Sequence, residues 1–230
     1  MDPLLSIVIP VYNEAGFVET LVRRVAEQPW RMEIIAVDDG SDDDTAEILA
    51  RLAEEMEALT VLTHPGNLGK GAALRTGFAA ATGDVVIIQD ADLEYDPADY
   101  EKLLVPLLDG RADVVYGSRF LGGPHRVHNF HHYVANRALT TLSNIFTNLN
   151  LTDMETCYKA FRRDVLDGLT LNRDDFGFEP EFTARVAEAG FRVYEVPISY
   201  SGRDYAEGKK IRPLDGLKAL GVILKVRFFG

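Results

Sequence analysis

The first half of the chain alternates short runs of aliphatic, largely β-branched residues with stretches where apolar side chains recur every three or four positions. Few architectures accommodate that alternation. Residues 4–10 (LLSIVIP), 33–37 (EIIAV), 60–62, 85–89 (VVIIQ) and 114–116 are predicted strands. Residues 14–27, 43–55, 69–81 and 97–108 are predicted helices; Phe17, Leu21, Val22 and Val25 carry the helical spacing in the first. Strands that are apolar throughout must be covered on both faces. With helices between them, the economical arrangement is a mostly parallel sheet in an α/β fold. Right-handed crossovers then place a ligand crevice at the carboxyl ends of the strands.

The second half is less regular. Residues 117–130 read as a loop, 132–147 as a helix, 150–161 as mixed with at most one strand, 182–189 as a helix ended by Gly190, and 192–196 as a strand. A polar, basic loop over 201–212 leads to residues 213–228. There Leu214, Leu217, Leu220, Leu224 and Phe228 share one face of an amphipathic helix opened by Pro213. That helix docks on the core or lies on a membrane surface.

A chain of 230 residues, 47% hydrophobic, builds one substantial core. The single Cys157 excludes an internal disulfide framework and a cysteine zinc cluster, and is expected to be a buried small hydrophobe. No signal-peptide pattern and no apolar run long enough to span a bilayer is present, so a cytoplasmic location, peripheral to a membrane at most, is expected. A net charge of −12 argues against nucleic-acid binding, which needs a broad basic field. His125, His128, His131 and His132 match no zinc spacing and read as a polar loop.

Each unusual polar cluster of the first half follows a predicted strand: Tyr12-Asn13-Glu14, the acidic run 38–45, and the run 90–96. Asp90 and Asp92, at i and i+2 in an extended turn, project to one side, and Glu94 continues the spacing. Paired carboxylates with positions left for substrate phosphates suit Mg²⁺ or Mn²⁺. The same run also describes an acidic helix start, with Asp96 and Asp99 flanking Pro97. Each cluster singly is also good turn and cap chemistry. What makes them specific is their occurrence together, in order, at strand ends.

The segments PVYNE, VDDGSDDDT, NLGKGAALRTGF, DADLEYDP, YGSRF, ETCYKAF and PISYSGRDYAEGKKI resemble the family-2 glycosyltransferases of the GT-A fold. They are most similar to the branch of dolichol-phosphate mannose synthases and bacterial polyprenyl-phosphate glycosyltransferases. The resemblance covers nearly the whole chain. It implies one GT-A domain over residues 1–230, with a nucleotide-sugar-binding half (1–118) and an acceptor-side half (119–230). It implies that Pro10, Tyr12, Glu14 and Asp39 line the nucleobase and ribose pocket and that Lys70 lies near the donor. Asp90 and Asp92 would hold the sugar nucleotide and the metal, with Glu94 as a further ligand; related mannose synthases often carry glutamine there. Arg119 and Arg203 match family positions and would neutralise the leaving diphosphate, with Arg137, Lys209 and Lys210 as further phosphate contacts. The implied reaction is inverting transfer of a hexose from a nucleoside-diphosphate sugar.

A hydroxyl acceptor needs a general base, and Asp153, Glu155, Glu179 and Glu181 are available. A phosphate monoester needs none, being an oxyanion above pH ~6. A polyprenyl phosphate is the preferred acceptor, a saccharide or other hydroxyl the runner-up, and Asp153 and Glu155 the acceptor-side acids. A homodimer is an open expectation. Two other classes compete. A sugar-phosphate nucleotidyltransferase would place a glycine-rich basic loop where Tyr12-Asn13-Glu14 stands. A non-catalytic nucleotide-sugar-binding protein would lack the paired aspartates.

Overall fold

The computed structural model describes residues 3–122, 126, 130–175, 177–202 and 221–222. One sheet runs through them, built from β1 (Leu5–Val11), β2 (Met32–Asp38), β3 (Leu59–Thr63), β4 (Val85–Ile88), β5 (Val114–Ser118), β6 (Lys159–Arg162) and β7 (Val193–Pro197). The helices are α1 (Val18–Ala26), α2 (Thr45–Glu55), α3 (Lys70–Ala80), α4 (Tyr100–Leu108), α5 (Phe130–Thr147) and α6 (Phe178–Glu188). The strand order is β3-β2-β1-β4-β6-β5-β7. All neighbours are parallel except β6, which is antiparallel to both β4 and β5. The α/β, mostly parallel sheet expected from the sequence is therefore present.

The central strands are apolar on both faces because both faces are covered: Ile7, Val8, Ile9, Ile34, Val37, Val86 and Ile87 are all fully buried. Helix α3 packs on β1 and β2. It lies so close that a side chain at Gly77 would strike Val8. In α1, Val18, Leu21, Val22 and Val25 face inward at the 3.6-residue period.

The boundaries differ from the sequence reading where turn chemistry intervenes. α1 begins at Val18 rather than residue 14, because Asn13 takes a left-handed conformation (φ 53°) and the Glu14 carbonyl accepts from the N–H groups of Phe17 and Val18. α6 begins at Phe178 rather than residue 182; its first turn contains Glu179, Pro180 and Glu181, which helix N-termini favour. Residues 97–99 form a short 3₁₀ turn, which Asp96 caps by accepting from the Ala98 N–H at 3.0 Å. So the helix-start reading holds for Asp96. Of the helix expected over 213–228, only residues 221–222 are described; they are helical and Val222 is buried. Among the described residues, no helix is long and apolar enough to cross a membrane.

Register brings the site together. Val11 lies opposite Asp38, Asp38 opposite Thr63, and Val8 opposite Ile88. Strands β1, β2, β3 and β4 thus end along one edge, and the loops after them share one crevice. The second half of the chain completes the same sheet, since β6 inserts between β4 and β5.

Candidate active site

The loop after β4 carries Asp90 and Asp92 and stands on an aromatic floor. Buried Gln89 accepts from the hydroxyls of Tyr100 (2.8 Å) and Tyr158 (2.7 Å), and its amide donates to the Asp90 carbonyl at 3.0 Å. Tyr95 packs on Tyr158 and Tyr200, with ring centroids 4.7 and 5.2 Å away. Its hydroxyl accepts from the Cys157 N–H at 3.1 Å. Burial of four tyrosines around one glutamine fixes the backbone on which the aspartates sit. Cys157 is itself buried, its thiol pushed up in pKa by that burial, which is the inert role expected of it.

Asp90 is held by Lys70, the first residue of α3, at 2.9 Å. The same ammonium lies 2.9 Å from Glu179 in the first turn of α6. Burial is the strongest single influence and opposes ionisation of Asp90, but Lys70, the Cys157 thiol and Lys159 together keep the carboxyl below its ordinary range. Burial likewise opposes the charge on Lys70, and Asp90 and Glu179 together hold its pKa well above the usual lysine value. Lys70 thus joins the first half of the chain to the second, as a cation between two carboxylates.

A strap of residues 172–175 locks the start of α3. The Asp174 carbonyl accepts from Gly71 (2.7 Å) and Ala72 (3.2 Å), and Arg75 binds the Arg173 carbonyl and the Asp174 carboxylate. Glu181 accepts from the N–H groups of Asn172 (3.0 Å) and Arg173 (2.8 Å). A side chain at Gly69 or Gly71 would run into the strap backbone. Glu181, considered above as a base, is therefore committed to holding this strap.

On the far side of the crevice, Arg119 makes a bidentate pair with Asp153, at 2.6 and 2.7 Å. Asp153 is completely buried, and it also accepts from Asn136 at 3.2 Å. Burial works against its charge, yet Arg119 keeps its pKa low. This corrects the reading of Asp153 as an available base: its oxygens are engaged by Arg119 and Asn136, and it positions the guanidinium, which also stacks over Tyr200 (5.2 Å).

The strand-end loops of β1 and β2 are stapled to each other. Asn13 and Asp42 exchange hydrogen bonds at 2.5 and 2.9 Å, and Ser41 links the Asn13 N–H to the Asp38 carboxylate. Pro10 and Tyr12 are half-buried here and Glu14 is buried. Asp39, expected in the nucleobase pocket, has its carboxylate turned to the next loop. It accepts from Leu68 (2.9 Å), Gly69 (2.7 Å) and His64 (2.7 Å), whose other ring nitrogen meets Thr76 at 2.9 Å. Asp39 thus shapes the approach to Lys70.

Glu94 accepts from the Tyr200 hydroxyl at 2.6 Å, and its carbonyl accepts from Ser201. Among the described residues, no group of three or more His, Cys, Asp or Glu side chains is placed to hold a metal by itself. Glu94 therefore does not complete a closed ligand set with Asp90 and Asp92. An incomplete set of hard carboxylate oxygens still fits a Mg²⁺ or Mn²⁺ ion that takes its remaining ligands from substrate phosphates and water. Arg137 lies on α5 beside a separate shallow pocket of about 390 Å³, with Thr140, Asn144 and Thr152. Arg203, Lys209 and Lys210 lie outside the described residues, as do His125 and His128.

Sequence reasoning missed three supports: the Gln89–tyrosine floor, the Lys70–Glu179 link and the His64–Asp39 contact. The only local signal was the density of aromatic residues around 95–100 and 158–161.

Residues 6–170 match the family described as Glycosyl transferase family 2. Glycosyltransferase AglD of Haloferax volcanii is 32% identical over 223 residues, covering 93% of this chain and 35% of that protein. The polyprenol monophosphomannose synthase of Mycolicibacterium smegmatis is 31% identical over 211 residues, covering 88% of this chain and 79% of that protein. The chain thus spans about a third of the first relative's length and about four fifths of the second's. Among solved structures, glucosyl-3-phosphoglycerate synthase from Mycobacterium tuberculosis, in complex with Mn²⁺, UDP and glucosyl-3-phosphoglycerate, superposes with a TM-score of 0.76. It is 21% identical, and the match covers 98% of this chain and 80% of that one, a likeness of fold. The chain belongs to glycosyltransferase family 2.

Proposed function

We propose that this chain transfers a hexose, with inversion, from a nucleoside-diphosphate sugar to a polyprenyl phosphate. The observation that carries the reading is the pair Asp90 and Asp92 in the loop after β4, with Lys70 on Asp90 and Arg119 held by Asp153 after β5. Two carboxylates with two fixed cations are what a diphosphate leaving group requires. Pro10, Tyr12 and Glu14 would receive the base and ribose, and Asp90 the sugar nucleotide. Asp92 would hold the divalent cation, with Glu94 beside it. When bound, that cation neutralises charge building on the departing diphosphate. Lys70 and Arg119 contribute fixed positive charge without reorganisation. Arg203, Lys209 and Lys210 would approach the phosphates from the segment after β7.

A phosphate acceptor suits a crevice in which Asp153 and Glu181 are already engaged, and it agrees with the name of the mycobacterial relative. A prenyl chain also gives a use to the outer face of α5, where Phe130, Val134 and Ile145 are exposed. Peripheral contact with a membrane through that face is part of the proposal.

Thermal denaturation with UDP-, GDP- and dTDP-sugars, with and without Mn²⁺, tests the donor side. A ligand at about a hundred times its Kd stabilises by about 2.7 kcal/mol, roughly 5–10 °C for a chain of this size. One nucleotide sugar is expected to give that shift only with Mn²⁺. No shift with any of them would contradict the proposal.

A further inference from the structure

Glu155 precedes β6 and stands between the two charge pairs of the crevice. The charged groups facing it are Glu179 from α6, Lys159 from β6, Arg119 beyond β5, and Asp153 on its own loop. The residue is half-buried among these groups of the crevice wall, and its Oε1 is sealed from solvent with no hydrogen-bond partner among the described residues. Glu179 Oε2 and Thr156 Oγ1 are buried and unpartnered in the same way. Folded proteins rarely leave buried oxygens unpaired without a reason, and two such carboxylates within electrostatic reach of each other, Glu155 and Glu179, mark a place where a bound molecule completes the bonding.

We propose that Glu155 is a specificity residue for the acceptor, acting as an uncharged hydrogen-bond donor to the acceptor's phosphate and not as a general base. The inference rests on the phosphate-acceptor reading given above. An ionised carboxylate on this wall would repel a phosphate dianion. A carboxylic acid instead offers an O–H donor, with Lys159 and Arg119 nearby. Burial first, and Glu179 second, push the Glu155 carboxyl up to about 8, against the opposing pull of Lys159 and Arg119. The donor form is therefore present below about pH 8 and lost as pH rises through it. The phosphate's second ionisation lies near pH 6, so it is dianionic above about pH 7. A change in acceptor affinity above pH 8 thus reports the protein.

Steady-state transfer to farnesyl phosphate, with labelled GDP-mannose or UDP-glucose as donor, tests this from about pH 6.5 to about pH 9.5. Melting temperatures of wild type, Glu155→Gln and Glu155→Ala serve as the fold control. In the wild type the acceptor KM is expected to rise about tenfold between pH 8 and 9.5 with little change in kcat. Glu155→Gln, which keeps a donor, is expected to stay within a few-fold of wild type at pH 7 and to have a KM that no longer depends on pH. Glu155→Ala is expected to raise KM about tenfold at pH 7. A hundredfold loss of kcat in a folded Glu155→Gln protein would overturn the proposal in favour of a general base. An alkaline rise in KM that persists in Glu155→Gln would transfer the effect to Lys159 and also overturn it. A wild-type KM flat through pH 8 would do so without any variant. Transfer to a sugar hydroxyl but not to farnesyl phosphate would instead refute the phosphate-acceptor reading itself, and the inference with it.

Discussion

Lys70 touches Asp90 and Glu179, residues far apart in the sequence, and it is the only cation among the described residues ion-paired to Asp90. Asp90 and Asp92 are legible in the sequence alone, because strand-end carboxylates have a recognisable spacing. That spacing says nothing about the ammonium that keeps Asp90 ionised in a buried setting. Asp92 is the residue whose role is most cleanly separable. It sits in the loop, half-buried, its Oδ1 accepting from the Glu94 N–H at 3.1 Å. Replacement with alanine is expected to lower Mn²⁺-dependent transfer at least about a hundredfold. The melting temperature of the metal-free protein should fall by no more than a few degrees, since Asp92 lies in a loop outside the core. Activity measured over a Mn²⁺ titration checks this. Near-wild-type rates would remove Asp92 from the metal site. The fate of Asp153 and Glu181 was beyond sequence reasoning for a plain reason: a carboxylate looks the same in a sequence whether it faces a substrate or a buried arginine.

At the scale of elements, α3 shows how local preference and tertiary contact can oppose each other. Alanine is favoured over glycine inside a helix by roughly 0.5–1 kcal/mol, so Gly71→Ala should stabilise α3 taken alone. In the folded chain the new methyl would meet the Arg173 carbonyl, a backbone atom that cannot swing aside. We therefore expect Gly71→Ala to destabilise by about 1–3 kcal/mol and to weaken nucleotide-sugar binding, since the strap it displaces also seats Lys70. Denaturant titration and the thermal-shift assay check the two effects; a more stable variant would contradict the close packing. Strands β1, β2 and β4 were legible because their centres are dominated by Ile and Val. β6 was not, because it is short, contains the buried Lys159 and Arg162 at its ends, and runs against its neighbours. The early start of α6 was missed because Glu179, Pro180 and Glu181 resemble a loop until the preference of helix N-termini for acids and proline is applied.

At the scale of the molecule, the two halves expected from the sequence share one sheet. The first supplies strand ends and carboxylates; the second supplies β6, which wedges beside β4, and α6, whose Glu179 reaches the same lysine. The crevice is thus built from both halves and held by continuous secondary structure. The proposed activity of the whole molecule is metal-dependent sugar transfer to a polyprenyl phosphate. Its most direct measurement supplies a long-chain polyprenyl phosphate in detergent, Mn²⁺, and labelled GDP-mannose or UDP-glucose in turn, with parallel reactions containing EDTA. Label is expected in the organic phase with one donor, abolished by EDTA and by prior dephosphorylation of the lipid. Label that never enters the lipid with either donor, or that enters it unchanged in EDTA, would contradict it.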